Sequence, residues 1–102
     1  MNLERDIESY LTSRVAALGG VAEKTISPSG RGYFDRVIVL PAGRVAFVEL
    51  KRPRGGRTTV HQRERHRRYE ALGATVAICK TCADVDRLME RLCGPDTGAP
   101  LE

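Results

Sequence analysis

The sequence predicts an α/β fold, a small mixed β-sheet flanked by helices in the order α-β-β-β-α-β-α. Three observations carry that expectation. Leu3, Ile7, Leu11, Val15 and Leu18 recur at helical spacing. The stretch GYFDRVIVLPAGRVAFVELKR, residues 32–52, is two β-branched runs around a tight turn. The short apolar run ATVAIC, residues 74–79, lies between two further helical stretches.

Taken in order, the first helix spans about residues 3–18 and stops at Gly19-Gly20. VAEKTIS, 21–27, forms a short strand, and PSGRG, 28–32, is turn chemistry. In the hairpin, Pro41-Ala42-Gly43 fits a three-residue loop with Gly43 in the left-handed position. RPRGGR, 52–57, has no aliphatic or aromatic side chain beyond its proline and is expected as an exposed loop. A second helix runs from about Val60 to Leu72 and closes at Gly73. The strand 74–79 follows, then a last helix over about 83–93 with Val85, Leu88, Met89 and Leu92 on one face. Residues 1–93 thus read as a single domain and 94–102 as a flexible C-terminal tail.

The 102 residues suffice for one modest core. No apolar run approaches the roughly 20 residues needed to span a bilayer, and charges throughout residues 1–20 argue against a signal peptide. Cys79, Cys82 and Cys93 do not make an even disulfide set, which suits a reducing compartment. The expectation is a soluble, intracellular protein. Cys79-x-x-Cys82 with Cys93 and a histidine could hold zinc, but Cys79 ends a strand and Cys93 a helix, where cysteine serves as a small buried hydrophobe. Net charge is +4, and the excess concentrates between Lys51 and Arg68, where Glu64 is the one acidic residue. That block points to a polyanionic partner, most often nucleic acid, against the plainer reading of a solvated face.

Three charges stand out in the otherwise apolar hairpin: Asp35, Glu49 and Lys51. If Leu40 and Arg44 close the loop, Asp35 lies across from Glu49, and Tyr33 across from Lys51. Opposed residues have Cβ atoms about 4.5–5.5 Å apart. Glu49 and Lys51 share a face because side chains alternate along a strand. Two carboxylates that close repel unless a cation sits between them. Mg²⁺ suits the place, since it is usually held by one or two carboxylates plus phosphate oxygens. Such an ion polarises a phosphodiester and activates water, with Lys51 positioning or deprotonating the attacking water. A structural ion pair on a solvated sheet face is the alternative.

Asp35, thirteen residues, then Glu49-Leu50-Lys51 resembles the D-x(n)-E-x-K core of the PD-(D/E)xK nuclease superfamily. GYFDR, FVELKRPRGG and Thr59-x-x-Gln62 extend the likeness to the VRR-NUC family in its compact, stand-alone, phage-type form. The resemblance runs from the first helix to about residue 90. Phe34 stands where the superfamily has Pro, which shapes the strand entrance there and is not a ligand. The resemblance implies a restriction-endonuclease-like core and Mg²⁺- or Mn²⁺-dependent hydrolysis of DNA. It makes Asp35 and Glu49 metal ligands, Lys51 the catalytic lysine, and Gln62 the helix-borne glutamine of the site. It also implies an acidic residue on the first helix: Glu4 and Glu8 are both candidates, and Glu8, beside the core residue Ile7, is preferred.

Thr59-x-x-Gln62 is equally a capping box, so Gln62 could cap the helix, serve the site, or do both. His66 and Tyr69 share its helical side, and His66 could donate to a phosphate but reads first as a core-edge histidine. Arg52, Arg54, Arg57, Arg63 and Arg67 are the expected phosphate contacts, because a guanidinium presents forked donors to phosphate oxygens. The resemblance further implies a homodimer acting on branched DNA such as four-way (Holliday) junctions, in the cytoplasm of a bacterial or phage-infected cell. A non-catalytic nucleic-acid-binding module of the same fold is the alternative.

Overall fold

A computed structural model describes residues 4–25, 34–55 and 57–94. Its elements are α1 (Glu4–Ala17), β1 (Val21–Lys24), β2 (Arg36–Leu40), β3 (Arg44–Leu50), α2 (Val60–Ala71), β4 (Thr75–Cys79) and α3 (Cys82–Cys93). The order α-β-β-β-α-β-α is the one the sequence predicts. The expectations for the 28–32 turn, for Tyr33 and for the tail from residue 95 lie outside the described residues.

The four strands form one mixed sheet in the order β1-β2-β3-β4, antiparallel except for the parallel β3–β4 pair. A parallel neighbour needs a crossover, and α2 supplies it. One sheet face carries Ile38, Leu40, Ala46, Val48, Leu50 and Cys79, packed with Ile7, Leu11 and Val15 of α1 and Val85, Leu88 and Met89 of α3. Tyr10 Oη donates to Asp86 Oδ1 at 2.7 Å, and Arg14 pairs with the same carboxylate, tying α1 to α3. Gly20 is required where the α1–β1 turn crosses β2. A Cβ there would meet Val39 O at 2.5 Å and Leu40 Cδ2 at 2.7 Å.

α2 covers the other face by different means. VHQRERHRRYEA has no apolar stripe, yet Thr59 and Gln62 form a complete capping box that satisfies its first amides. Its inner residues are Gln62, His66 and Tyr69, at i, i+4 and i+7. Tyr69 stands edge-on to Phe47 of β3, ring centroids 5.1 Å apart. Toward β1 the same sheet face is open. Val21, Val39 and Val45 are paired in register across three strands and remain 50%, 38% and 39% exposed.

Candidate active site

The hairpin register is the expected one over most of its length: Leu40 pairs with Arg44 and Arg36 with Val48. The loop differs in detail, since Ala42 (φ 69°) as well as Gly43 (φ 71°) is left-handed. At Asp35 the ladder slips. Its N–H donates to Val48 O at 2.9 Å, so two residues of one strand face a single residue of the other, as in a β-bulge. The expected Asp35–Glu49 opposition is therefore replaced by a closer arrangement with β3. Asp35 Oδ2 accepts from Leu50 N at 2.6 Å, taking the place of a ladder carbonyl beside Glu49.

Glu49 is 4% exposed, at the end of β3 on the α2 face. Lys51 Nζ lies 3.3 Å from Glu49 Oε2 and donates to Gln62 Oε1 at 3.2 Å. Gln62 Nε2 donates to the same Glu49 Oε2 at 2.8 Å. Glu49, Lys51 and Gln62 thus close a triangle. Gln62 Oε1 also accepts from Thr59 N at 3.0 Å, so one amide group caps α2 and joins the site. The parallel β3–β4 pairing continues one residue further, Lys51 N donating to Cys79 O at 3.1 Å, which fixes the lysine's backbone.

Burial, then the charge of Asp35, pushes the Glu49 carboxyl above its ordinary value, and Lys51 opposes them. Glu49 Oε1 is buried and has no hydrogen-bond partner among the described residues. An orphaned carboxylate oxygen beside a second carboxylate is what a hard cation would satisfy. Among the described residues no three His, Cys, Asp or Glu side chains cluster. The cysteine–zinc arrangement is not assembled there. Cys79 is fully buried, and burial pushes its thiol up to about 12.

The two first-helix carboxylates separate clearly. Glu8 is engaged by Arg36, whose Nε and Nη2 lie 2.9 and 2.8 Å from Glu8 Oε2 while Nη1 donates to Ala22 O at 2.8 Å. Glu4, exposed at the start of α1, is the one whose charge contributes to raising Glu49. Arg36 is the residue missed by the sequence reading. Strand alternation puts it on the same face as the core residue Ile38, and a charge there demands a partner.

His66 is 9% exposed and stacks on Phe34, planes 17° apart and centroids 5.0 Å apart. Burial, the leading cause, lowers its pKa, with the charge of Glu70 opposing. Arg52, Arg54, Arg57, Arg63 and Arg67 are all exposed along the β3–α2 loop and α2. Among the described residues no helix is long and apolar enough to cross a membrane.

No family model matches the chain. Over 75 residues it is 44% identical to the protein named "Putative nuclease p44" of Acyrthosiphon pisum secondary endosymbiont phage 1, the match covering 74% of this chain and 80% of that protein. It is also similar to a solved VRR_NUC domain, with 34% identity and a TM-score of 0.77, over 85% of this chain and 94% of that one.

Proposed function

The chain belongs to the VRR-NUC family of nucleases, and from that premise we propose that it is a Mg²⁺- or Mn²⁺-dependent endodeoxyribonuclease selective for branched DNA. The observation that carries the metal dependence is the buried, unpartnered Glu49 Oε1 within the electrostatic reach of Asp35. Asp35 and Glu49 would hold the ion. When bound, it would supply Lewis-acid polarisation of the scissile phosphate.

The remaining work falls to this chain's own side chains. An ammonium has three donors, and Glu49 and Gln62 engage two of them. Lys51 can therefore direct its third at the attacking water or at a phosphate oxygen. Gln62 fixes Lys51 and Glu49 relative to each other, the kind of positioning on which the reacting geometry depends. Of the first-helix carboxylates, Glu8 is held by Arg36, the chain neighbour of Asp35, and the charge of Glu4 contributes to raising Glu49. The exposed arginines 52, 54, 57, 63 and 67 hold the duplex by its phosphates without reading sequence.

Junction selectivity requires two sites, and so a homodimer. The open row Val21–Val39–Val45 supports that reading, because a second copy would bury it. An intracellular location follows from a DNA substrate. Calorimetry with Mn²⁺ on the free protein tests the metal site. Wild type should bind and Glu49→Ala should not, whereas a non-catalytic module binds no metal in either form.

A further inference from the structure

Asp35 carries the proposed site role and lies just before β2, which begins at Arg36. Its main chain is bonded on both sides, the N–H donating to Val48 O and the C=O accepting from Thr25 N, but these bonds do not by themselves set the direction of its side chain. Further anchors are found in its two chain neighbours. Residues two apart in a regular strand share a sheet face. Phe34 and Arg36 do not. Phe34 lies on the α2 face, among His66, Tyr69 and Phe47, with ring centroids 5.0, 5.2 and 5.3 Å away. Arg36 lies on the α1 face, engaged by Glu8 and Ala22 O. The slip of the ladder at Asp35 accounts for the change of side, since an extra residue in one strand inverts the alternation beyond it.

We propose that Phe34 and Arg36 form a two-sided clamp that aims the Asp35 carboxylate, with His66 and Glu8 as the positioning residues that hold its two jaws. Phe34 is 4% exposed and its stack with His66 ties the Asp35 backbone to α2, the helix that also carries Gln62. Arg36 ties it to α1 by a forked contact on one carboxylate and a third bond to a backbone carbonyl. α2 therefore fixes the spacing between Asp35 and the Glu49–Lys51 pair, and α1 stops the strand from rotating about it. Neither His66 nor Glu8 needs to touch substrate or ion for this.

The clamp has a reporter that requires neither metal nor DNA. The Leu50 amide donates to Asp35 Oδ2, so its hydrogen exchange reads where that carboxylate sits. The purpose of the clamp rests on the nuclease reading; its existence does not. In metal-free protein, His66→Ala and Glu8→Gln should each speed Leu50 exchange about tenfold or more while the Leu11 amide of α1 keeps its wild-type rate. His66→Phe, which keeps a stacking ring, should restore Leu50 protection. The charge-reversed pair Glu8→Arg with Arg36→Glu should recover it in part. In parallel, His66→Ala should weaken Mn²⁺ binding about tenfold and His66→Phe should not. Unchanged Leu50 protection in His66→Ala and Glu8→Gln overturns the clamp, as does equal loss at Leu11, which would mark plain destabilisation. A wild type that binds no Mn²⁺ but shows the Leu50 pattern overturns the nuclease reading and leaves the clamp standing.

Discussion

Gln62→Ala separates the capping role of that residue from its role in the site. The substitution removes the Thr59 N–H···Oε1 cap bond, a neutral bond contributing about 0.5–1.5 kcal/mol. It also removes the bond to Glu49 and the one from Lys51, both charge-assisted and each of the order of 1.5–3 kcal/mol. The three share one amide and do not add fully, so a loss of about 2–4 kcal/mol is expected. Thr59→Ala removes the reciprocal cap bond to Gln62 N and leaves the site contacts in place, so it should cost only ~1 kcal/mol. Urea unfolding of both variants in EDTA supplies the comparison. Equal losses in Gln62→Ala and Thr59→Ala would refute the reasoning, because the triangle would then add nothing beyond the cap.

Three other expectations follow from particular residues. Ala42 sits at φ 69°, so Ala42→Gly should stabilise by about 0.5–1 kcal/mol, read as a higher melting temperature; a lower one would remove the strain argument. Glu49 is raised by burial and then by Asp35, so in the folded protein it keeps its proton to a pH above the ordinary carboxylate range. Without metal, stability attributable to Glu49 should fall as pH rises between the unfolded and folded values, because the native state binds more protons there. Mn²⁺ affinity should run the opposite way in the wild type, falling as pH drops through the raised value in calorimetry across pH 4–8, and an affinity flat over that range would contradict it. Val39→Asp, in the open valine row, should shift a dimer to monomer in sedimentation at about 10 μM; a variant as dimeric as wild type would place the interface elsewhere.

Much of this architecture was legible because the signals are local. α1 and α3 follow from apolar spacing, and the hairpin register from a loop that admits one closing pair, Leu40 with Arg44. β4 is a short β-branched run, and Cys79 is the buried hydrophobe its place suggests. α2 is less obvious, since it lacks an apolar stripe; its capping box and its basic residues mark it instead. What escaped the sequence is where tertiary contacts overrule periodicity. The slip at Asp35 goes with the Leu50 N–H donating to the Asp35 side-chain carboxylate in place of a ladder carbonyl, a choice that no two-residue period encodes. The preference for Glu8 over Glu4 failed to anticipate Arg36, because an ion pair between residues 28 apart in the chain is invisible to spacing along one helix. Gln62 was readable as cap or site residue, and its one amide both caps α2 and hydrogen-bonds the Glu49 carboxylate.

On the proposed function, Asp35, Glu49 and Lys51 make a metal-dependent active site for DNA hydrolysis. The most direct measurement incubates labelled four-way junction, linear duplex and single-stranded DNA with wild type and with Lys51→Ala, each in Mg²⁺, in Mn²⁺ and in EDTA. Wild type should cut the junction best, only with metal, while Lys51→Ala binds DNA with wild-type affinity and cuts nothing. Lys51→Ala cleaving like wild type, or wild type binding without cutting under either metal, would contradict the account.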